Sequence, residues 1–307
     1  MDLEAYDQIR SGGAGFYEQG RGLIAVSGKE AVQFLDGMIT NDMKTLEDGQ
    51  QMLAAFPNAQ GRLIALVRVQ RQGDRFLIET EGATREKVFQ NLFRFTFAGD
   101  FFAEDLSDKF SYFEIFGSKK DVFNPNVGDK FEGSIAYEQS QGGGYFIPVE
   151  LGDAFRKFLI DENGCVVIDD ELYETLRIES GIPKYAVDMD ETTIVPELGL
   201  EGMISYTKGC YIGQEIIARI HFRGHVAKHL TGLVSSEPGA AATVFSSGDE
   251  LKTPDGKNAG RITSVTYSPK LDMWIALAFV RFDQLAENTE LFAGESKVRV
   301  KNLPFIN

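Results

Sequence analysis

Cysteine is scarce: the 307-residue chain holds two, Cys165 and Cys210. A disulfide framework is therefore excluded, and this usage fits a reducing cytosol and a cytoplasmic location. Two thiols also fall short of the four ligands that usually hold an iron–sulfur cluster. Long apolar runs are missing as well. The longest, MWIALAFV over residues 273–280, is far below the roughly 20 residues that a bilayer span needs. Residues 1–13 (MDLEAYDQIRSGG) show neither the basic and apolar regions of a secretion signal nor an Arg-rich organelle leader. Positive charge is in deficit, with 31 Lys and Arg against 46 Asp and Glu for a formal net charge of −15. Such a chain repels a phosphate backbone, which argues against direct nucleic-acid binding and against an anionic membrane as partner. It contains no G-x-x-x-x-G-K-[ST] or G-x-G-x-x-G phosphate loop, no heptads and no solenoid repeat.

What is present is ordinary globular material, 43% apolar and 11% aromatic, long enough for two or three domains. Residues 23–26 read as a strand. Ser27 and Glu30 then form an S-x-x-E capping box, and Ala31, Val32, Phe34, Leu35, Met38 and Ile39 recur at helical spacing. Residues 63–69 and 75–79 are strands joined by a turn at Gly73. A helix from about Thr84 buries Val88, Phe89, Leu92 and Phe93, and a return strand at 101–106 completes an α+β layer. From Ser111 the pattern restarts, with an apolar stretch, a Gly/Asn/Pro-rich loop and a Gly142-Gly143-Gly144 turn. Residues 169–181 make the clearest late helix, with an Asp cap at its start, Gly181 as its C′ residue and Pro183 beyond. Past Leu230, short β-like runs at 230–234, 261–267, 274–279 and 297–300 alternate with turn residues, the pattern of a small antiparallel barrel.

The densest chemistry lies in residues 205–230, SYTKGCYIGQEIIARIHFRGHVAKHL. Lys208, Arg219, Arg223 and Lys228 against Glu215 make it locally basic inside an acidic chain, which points to a small anionic ligand or, more plainly, to a solvated loop. His221, His225 and His229 are spaced by four. On a helix they would align for a metal, but the interruption at Phe222-Arg223-Gly224 and the preceding β-branched residues favour a loop or strand, and no metal site is assigned. Within this segment Lys208, Gly209, Cys210, Tyr211, Ile212, Gly213, Gln214 and Glu215 spell KGCYIGQE. This octapeptide resembles the signature of the YgfZ-type folate-binding proteins, of the same superfamily as the T-protein (aminomethyltransferase) of the glycine cleavage system. Residues 22–31 through Thr40-Asn41-Asp42 resemble that family's first strand and helix, and Arg177-Ile-Glu-Ser-Gly181 its R-x-E-x-G segment.

The expected fold is α+β: two ferredoxin-like α/β layers around a central pocket, plus a small C-terminal antiparallel barrel. The expected domains are 1–110, 111–225 carrying the octapeptide, and 226–307. The resemblance implies tetrahydrofolate, or a derivative, as ligand. A pterin with N–H donors, a flat body and an anionic tail wants a buried carboxylate, aromatic walls and cations at the mouth. Glu179 is the candidate carboxylate: it falls on the apolar face of its helix and near the C-terminus, where the dipole disfavours a negative charge. The plainer alternative is a salt bridge to an arginine such as Arg177. Tyr211, Gln214, Arg219 and Arg223 complete the candidate folate contacts. Lys208 and Cys210 are the candidate catalytic pair, since a nearby ammonium favours a thiolate; equally, Cys210 could simply pack. Cys165 reads as core, and Gly209 and Gly213 as backbone that a Cβ would block.

T-proteins carry a G-Y-T-G-E-x-G-Y-E element where residues 137–145 here read YEQSQGGGY. The resemblance therefore implies a tetrahydrofolate-binding accessory protein for iron–sulfur cluster assembly or repair in client enzymes, including one that modifies tRNA. An aminomethyltransferase-like one-carbon transferase and a redox-active thiol protein working through Cys210 stand as alternatives, and enzymatic status is open.

Overall fold

The computed structural model describes residues 1–117, 126–139, 142–239 and 245–306. The chain divides into two compact units, one of Met1–Pro57, Ile64–Tyr173 and Gly202–Ile212, the other of Asn58–Leu63, Glu174–Glu201 and Gly213–Asn307.

The first unit contains α1 (Leu3–Arg10), β1 (Ala14–Gln19), β2 (Arg21–Ser27), α2 (Ala31–Met38), β3 (Gln51–Pro57), β4 (Leu63–Gln72), β5 (Arg75–Glu81) and α3 (Arg85–Phe93). It continues with β6 (Phe102–Asp105), β7 (Phe110–Gly117), β8 (Ile135–Gln139), β9 (Gly142–Pro148), α4 (Gly152–Lys157) and β10 (Val166–Val167). Two five-stranded sheets result, in the orders β3-β4-β5-β2-β6 and β10-β1-β7-β9-β8. β2 is buried on five consecutive residues because both its faces are covered. Ile24 and Val26 point with Phe76 and Ile78 into the layer of α2 and α3. The alternate residues Leu23, Ala25 and Leu77 meet Tyr112, Tyr137 and Phe146 of the second sheet. The Tyr137 hydroxyl donates to the Leu77 carbonyl at 3.0 Å, so the phenol buried between the sheets is satisfied. Beyond the second sheet, Phe16, Phe113, Tyr145, Phe155 and Cys165 form a further core, which is where the sequence placed Cys165.

In the second unit a closed barrel runs β11-β14-β13-β12-β15-β16, with β11 Lys228–Ser235, β12 Glu250–Lys252, β13 Asn258–Ser268, β14 Met273–Arg281, β15 Glu290–Ala293 and β16 Ser296–Lys301. Leu233, Ile262, Ala276, Ala278, Val298 and Val300 fill it. The expected α+β layers and terminal barrel are thus observed.

α5 (Asp170–Glu179) is the helix expected there: the Asp169 carboxylate accepts the Leu172 amide at 2.7 Å, and Gly181 adopts φ 69°. Four expectations need correction. Gly142, Gly143 and Gly144 begin β9 rather than making a turn, because each pairs with a residue of β7. Ser27 ends β2 and caps nothing; the Glu30 carboxylate turns to accept the Asp100 amide at 2.6 Å, because the return strand offers an unpaired donor there. Phe93 is 41% exposed, since it sits in the last turn of α3. α6 (Gln214–Arg223) carries His221 on a helix rather than on a loop or strand. Part of the Gly/Asn/Pro-rich loop after Phe116, and Ser140-Gln141 of the 137–145 comparison, lie outside the described residues.

Gly260 in β13 has φ 145°, and a Cβ there would stand 2.1 Å from the Phe279 carbonyl oxygen of β14. Gly260→Ala should therefore cost about 1–3 kcal/mol, the scale of forced overpacking, and lower the melting temperature. An unchanged melt would show that the barrel has slack at this ladder.

Candidate functional site

A helix ends with carbonyls that lack intrahelical partners and with the negative end of its dipole. At the end of α2 this deficit is compounded by Asp36, a buried acid in the last turn. Lys208 answers both. Its ammonium donates to the carbonyls of Asp36 (2.6 Å), Ile39 (3.0 Å) and Asn41 (2.6 Å), and its Nζ lies 3.2 Å from Asp36 Oδ1. The Lys208 side chain is fully closed to solvent. Asp36 also accepts the Met43 amide at 3.1 Å and faces Lys44 at 3.3 Å. Burial alone would push its carboxyl up; the Lys208 ammonium, with the Met43 amide and Lys44, outweighs this and holds it below the ordinary 3.8.

The segment leading to Lys208 is tied to the same corner. The Thr40 hydroxyl donates to the Met203 carbonyl at 2.7 Å, and the Ser205 amide donates to the Thr40 carbonyl at 3.0 Å. Asn41 Nδ2 reaches the carbonyls of Leu53 and Gly202 at 2.8 and 2.7 Å. On the far side, the Ile212 amide donates to the Gly37 carbonyl at 3.0 Å. Tyr211 is buried, its ring centroid 5.1 Å from the Lys208 ammonium. Between these ties Gly209 and Cys210 are exposed. The ammonium is committed to α2, and the thiol is presented at the surface. Beside Ile212, a cleft of about 450 Å³ is walled by Phe34 and Phe101, stacked at 3.8 Å, with Met38, Gln33 and Glu30.

The second unit holds the other candidates. Gly213 opens α6 at φ 81°, and a Cβ there would stand 2.4 Å from the Asn58 carbonyl oxygen, so glycine is required as expected. At Gly209 the expectation fails, since a Cβ would meet only Lys44 Nζ at 3.9 Å, an ordinary contact. Gln214 is half-buried, while Glu215, Arg219 and Arg223 are exposed on α6, the two arginines four residues apart. Glu179 is fully buried. Its carboxylate accepts the Ser268 hydroxyl, and its carbonyl accepts the amides of Phe305 (2.9 Å) and Ile306 (3.2 Å). Arg177 donates to Glu174 (2.8 Å), Asp188 (2.9 Å), Ser264 (2.8 Å) and the Ile182 carbonyl (3.1 Å). His225 stacks on Phe282 at 3.9 Å, and His229 lies in β11. Among the described residues no group of three or more His, Cys, Asp or Glu is placed to hold a metal.

The structure thus joins Lys208 and Tyr211 and sets Glu179 in a separate buried contact with Ser268. Sequence reasoning overlooked Asp36, Thr40 and Asn41. For Asp36 a signal existed: an acid near a helix C-terminus, the same anomaly that singled out Glu179.

The GCVT N-terminal domain family matches residues 6–127, and the glycine cleavage T-protein C-terminal barrel domain family matches residues 228–305. The chain is similar to the tRNA-modifying protein YgfZ of Klebsiella pneumoniae (strain 342), 25% identical over 304 residues that cover 92% of this chain and 90% of that protein. It is also similar to the mitochondrial iron–sulfur cluster assembly factor IBA57 homolog of Mycosarcoma maydis, 27% identical over 234 residues. That match takes in 69% of this chain and 55% of the longer relative. In fold it matches the glycine cleavage system aminomethyltransferase T from Bartonella henselae, with a TM-score of 0.84 over 99% of this chain and 89% of that one, at 19% identity.

Two measurements follow. Lys208→Met strands the Asp36 carboxylate and should cost about 3–5 kcal/mol, as when one partner of a buried pair is removed. Because the folded Asp36 carboxyl lies below its unfolded value, its stabilisation is complete above that value and drains away as pH falls below about 4. Asp36→Asn should therefore lower the melting temperature at neutral pH and flatten its acid limb; an unaltered limb would remove Asp36 from the account. Separately, iodoacetamide near neutral pH should label the native protein once, at Cys210. Burial pushes the Cys165 thiol up to about 11, so Cys165 should react only after unfolding. Equal labelling of both thiols in the native protein would contradict this.

Proposed function

We propose that this chain, which belongs to the glycine cleavage T-protein family and to its YgfZ type, binds tetrahydrofolate as an accessory protein in iron–sulfur cluster assembly or repair. Its clients would include an enzyme of tRNA modification. The observation that carries the reading is the setting of the octapeptide: Lys208 fixes the motif to the end of α2, and Cys210 stands exposed on that fixed base. An exposed thiol on an anchored segment suits contact with a client. The names of the YgfZ and IBA57 relatives point the same way.

The proposed folate contacts are Glu179, Tyr211, Gln214, Arg219 and Arg223. As a donor set, one carboxylate, a phenol ring, an amide and two guanidiniums match the N–H edge, flat body and anionic tail of the ligand. Lys208 enters as the anchor of the motif. Aminomethyl transfer is the runner-up, favoured by the T-protein-like fold alone. No observation favours a redox thiol.

Calorimetric titration of the full chain with tetrahydrofolate should give saturable binding and a raised melting temperature, because the ligand binds the folded state only. Glu179→Gln keeps the side-chain volume and should abolish that shift. Retention of full affinity would mean that the carboxylate serves Ser268 and not the pterin. Turnover of methylenetetrahydrofolate with an aminomethyl-lipoyl carrier should be absent; turnover would establish the transferase instead.

A further inference from the structure

We infer that the second unit carries a small-anion site that takes a phosphate monoester, in a recess independent of the proposed folate contacts. The recess has a volume of about 280 Å³, and Asp188, Asp190, Lys228, Arg261 and Phe279 stand on its walls. None of the residues proposed to touch folate lines it.

The acids of this recess have partners within the chain. Asp188 accepts Arg177 at 2.9 Å, the Lys184 amide at 3.0 Å, and the hydroxyls of Thr263 and Ser264 at 2.6 Å each. Asp190 accepts the amide and the hydroxyl of Thr192 at 2.7 and 2.6 Å. The cations differ. The Lys228 ammonium lies 4.4 Å from the centroid of the Phe279 ring and, among the described residues, makes no hydrogen bond or ion pair. An aromatic face holds an ammonium by its quadrupole and supplies no acceptor atom, so N–H donors remain for a ligand in the recess. Among the described residues Arg261 donates through Nε alone, to the Gly248 carbonyl at 3.1 Å, which leaves both terminal nitrogens of the fork. Lys228 acts through space on the carboxylates of Asp190 and Glu197, yet among the described residues neither it nor Arg261 has a carboxylate in ion-pair contact, so their donors stay open to a ligand that enters the recess.

Their geometry type sets the ligand class. A guanidinium fork and an ammonium point charge together suit a compact dianion with several acceptor oxygens. The volume equals roughly nine waters at about 30 Å³ each, room for a phosphate and a three- or four-carbon body against the Phe279 ring.

The test is calorimetric titration of the full chain with glycerol 3-phosphate, with succinate as a carboxylate of similar size. Saturable binding is expected, weakened at least tenfold by Lys228→Gln and by Arg261→Gln, and unaltered by Lys252→Gln on the exposed surface. Succinate should bind at least tenfold more weakly, and saturating tetrahydrofolate should leave the affinity unchanged. Absence of saturable binding, parent-like affinity in either variant, equal binding of succinate, or competition by tetrahydrofolate would each overturn the proposal. Should Lys228→Gln fail to fold, Arg261→Gln, altered at an exposed side chain, decides alone. The folate titration of the parent reads the earlier proposal separately, so either can fail without the other.

Discussion

The first unit depends on one buried ammonium. The end of α2 gathers three kinds of negative potential in one place: carbonyls without helical partners, the dipole, and the Asp36 carboxylate. No water reaches the Lys208 side chain to relieve it. The lysine is therefore held by geometry as well as charge, since an ammonium has three protons and the corner supplies three carbonyls and a carboxylate. A single interaction thereby joins a helix near residue 36 to a motif about 170 residues later. The exposed Gly209-Cys210 segment inherits its position from that join.

A second hub uses the same logic with an arginine. Among the described residues Arg177 heads the large, fully buried side chains, and its fork is divided between Glu174, Asp188, Ser264 and the Ile182 carbonyl. Through Asp188, which also holds Thr263 and the Lys184 amide, it links α5 to β13 of the barrel. Breaking either hub removes the principal cation from a buried carboxylate, so a neutral replacement of Lys208 or Arg177 is expected to be costly.

Local pattern carried much of the fold in advance. Apolar periodicity located α2 and α5, and the spacing of short β runs located the barrel, because in each case the signal lies within a dozen residues. The failures came from longer range. Ser27 and Glu30 have capping-box spacing, yet the chain stays extended through Ser27 and Glu30 serves Asp100, 70 residues away. The β-branched Ile216 and Ile217 argued against a helix, and the burial of Ile217 in α6 overrode that preference. Lys208 was read against its neighbour Cys210, whereas its partners are Asp36, Ile39 and Asn41. A lysine two residues from a cysteine is a local fact; three carbonyls at a helix end are not visible in one dimension.

The sequence signal that did reach across this distance was misplacement. Asp36 and Glu179 both occupy the last turn of a helix, where the dipole disfavours an acid, and both are buried. Each misplaced acid has a tertiary partner. Asp36 holds Lys208, and Glu179 holds the Ser268 hydroxyl while its backbone carbonyl receives the C-terminal amides of Phe305 and Ile306. An acid at a helix C-terminus costs stability by itself, so it persists where something else in the molecule, or bound to it, needs a negative charge at that point. In this chain the rule separates two uses. Asp36 closes a site onto a cation that the chain itself supplies, whereas Glu179, where tetrahydrofolate binds as proposed, would trade a hydroxyl for the N–H edge of a ligand.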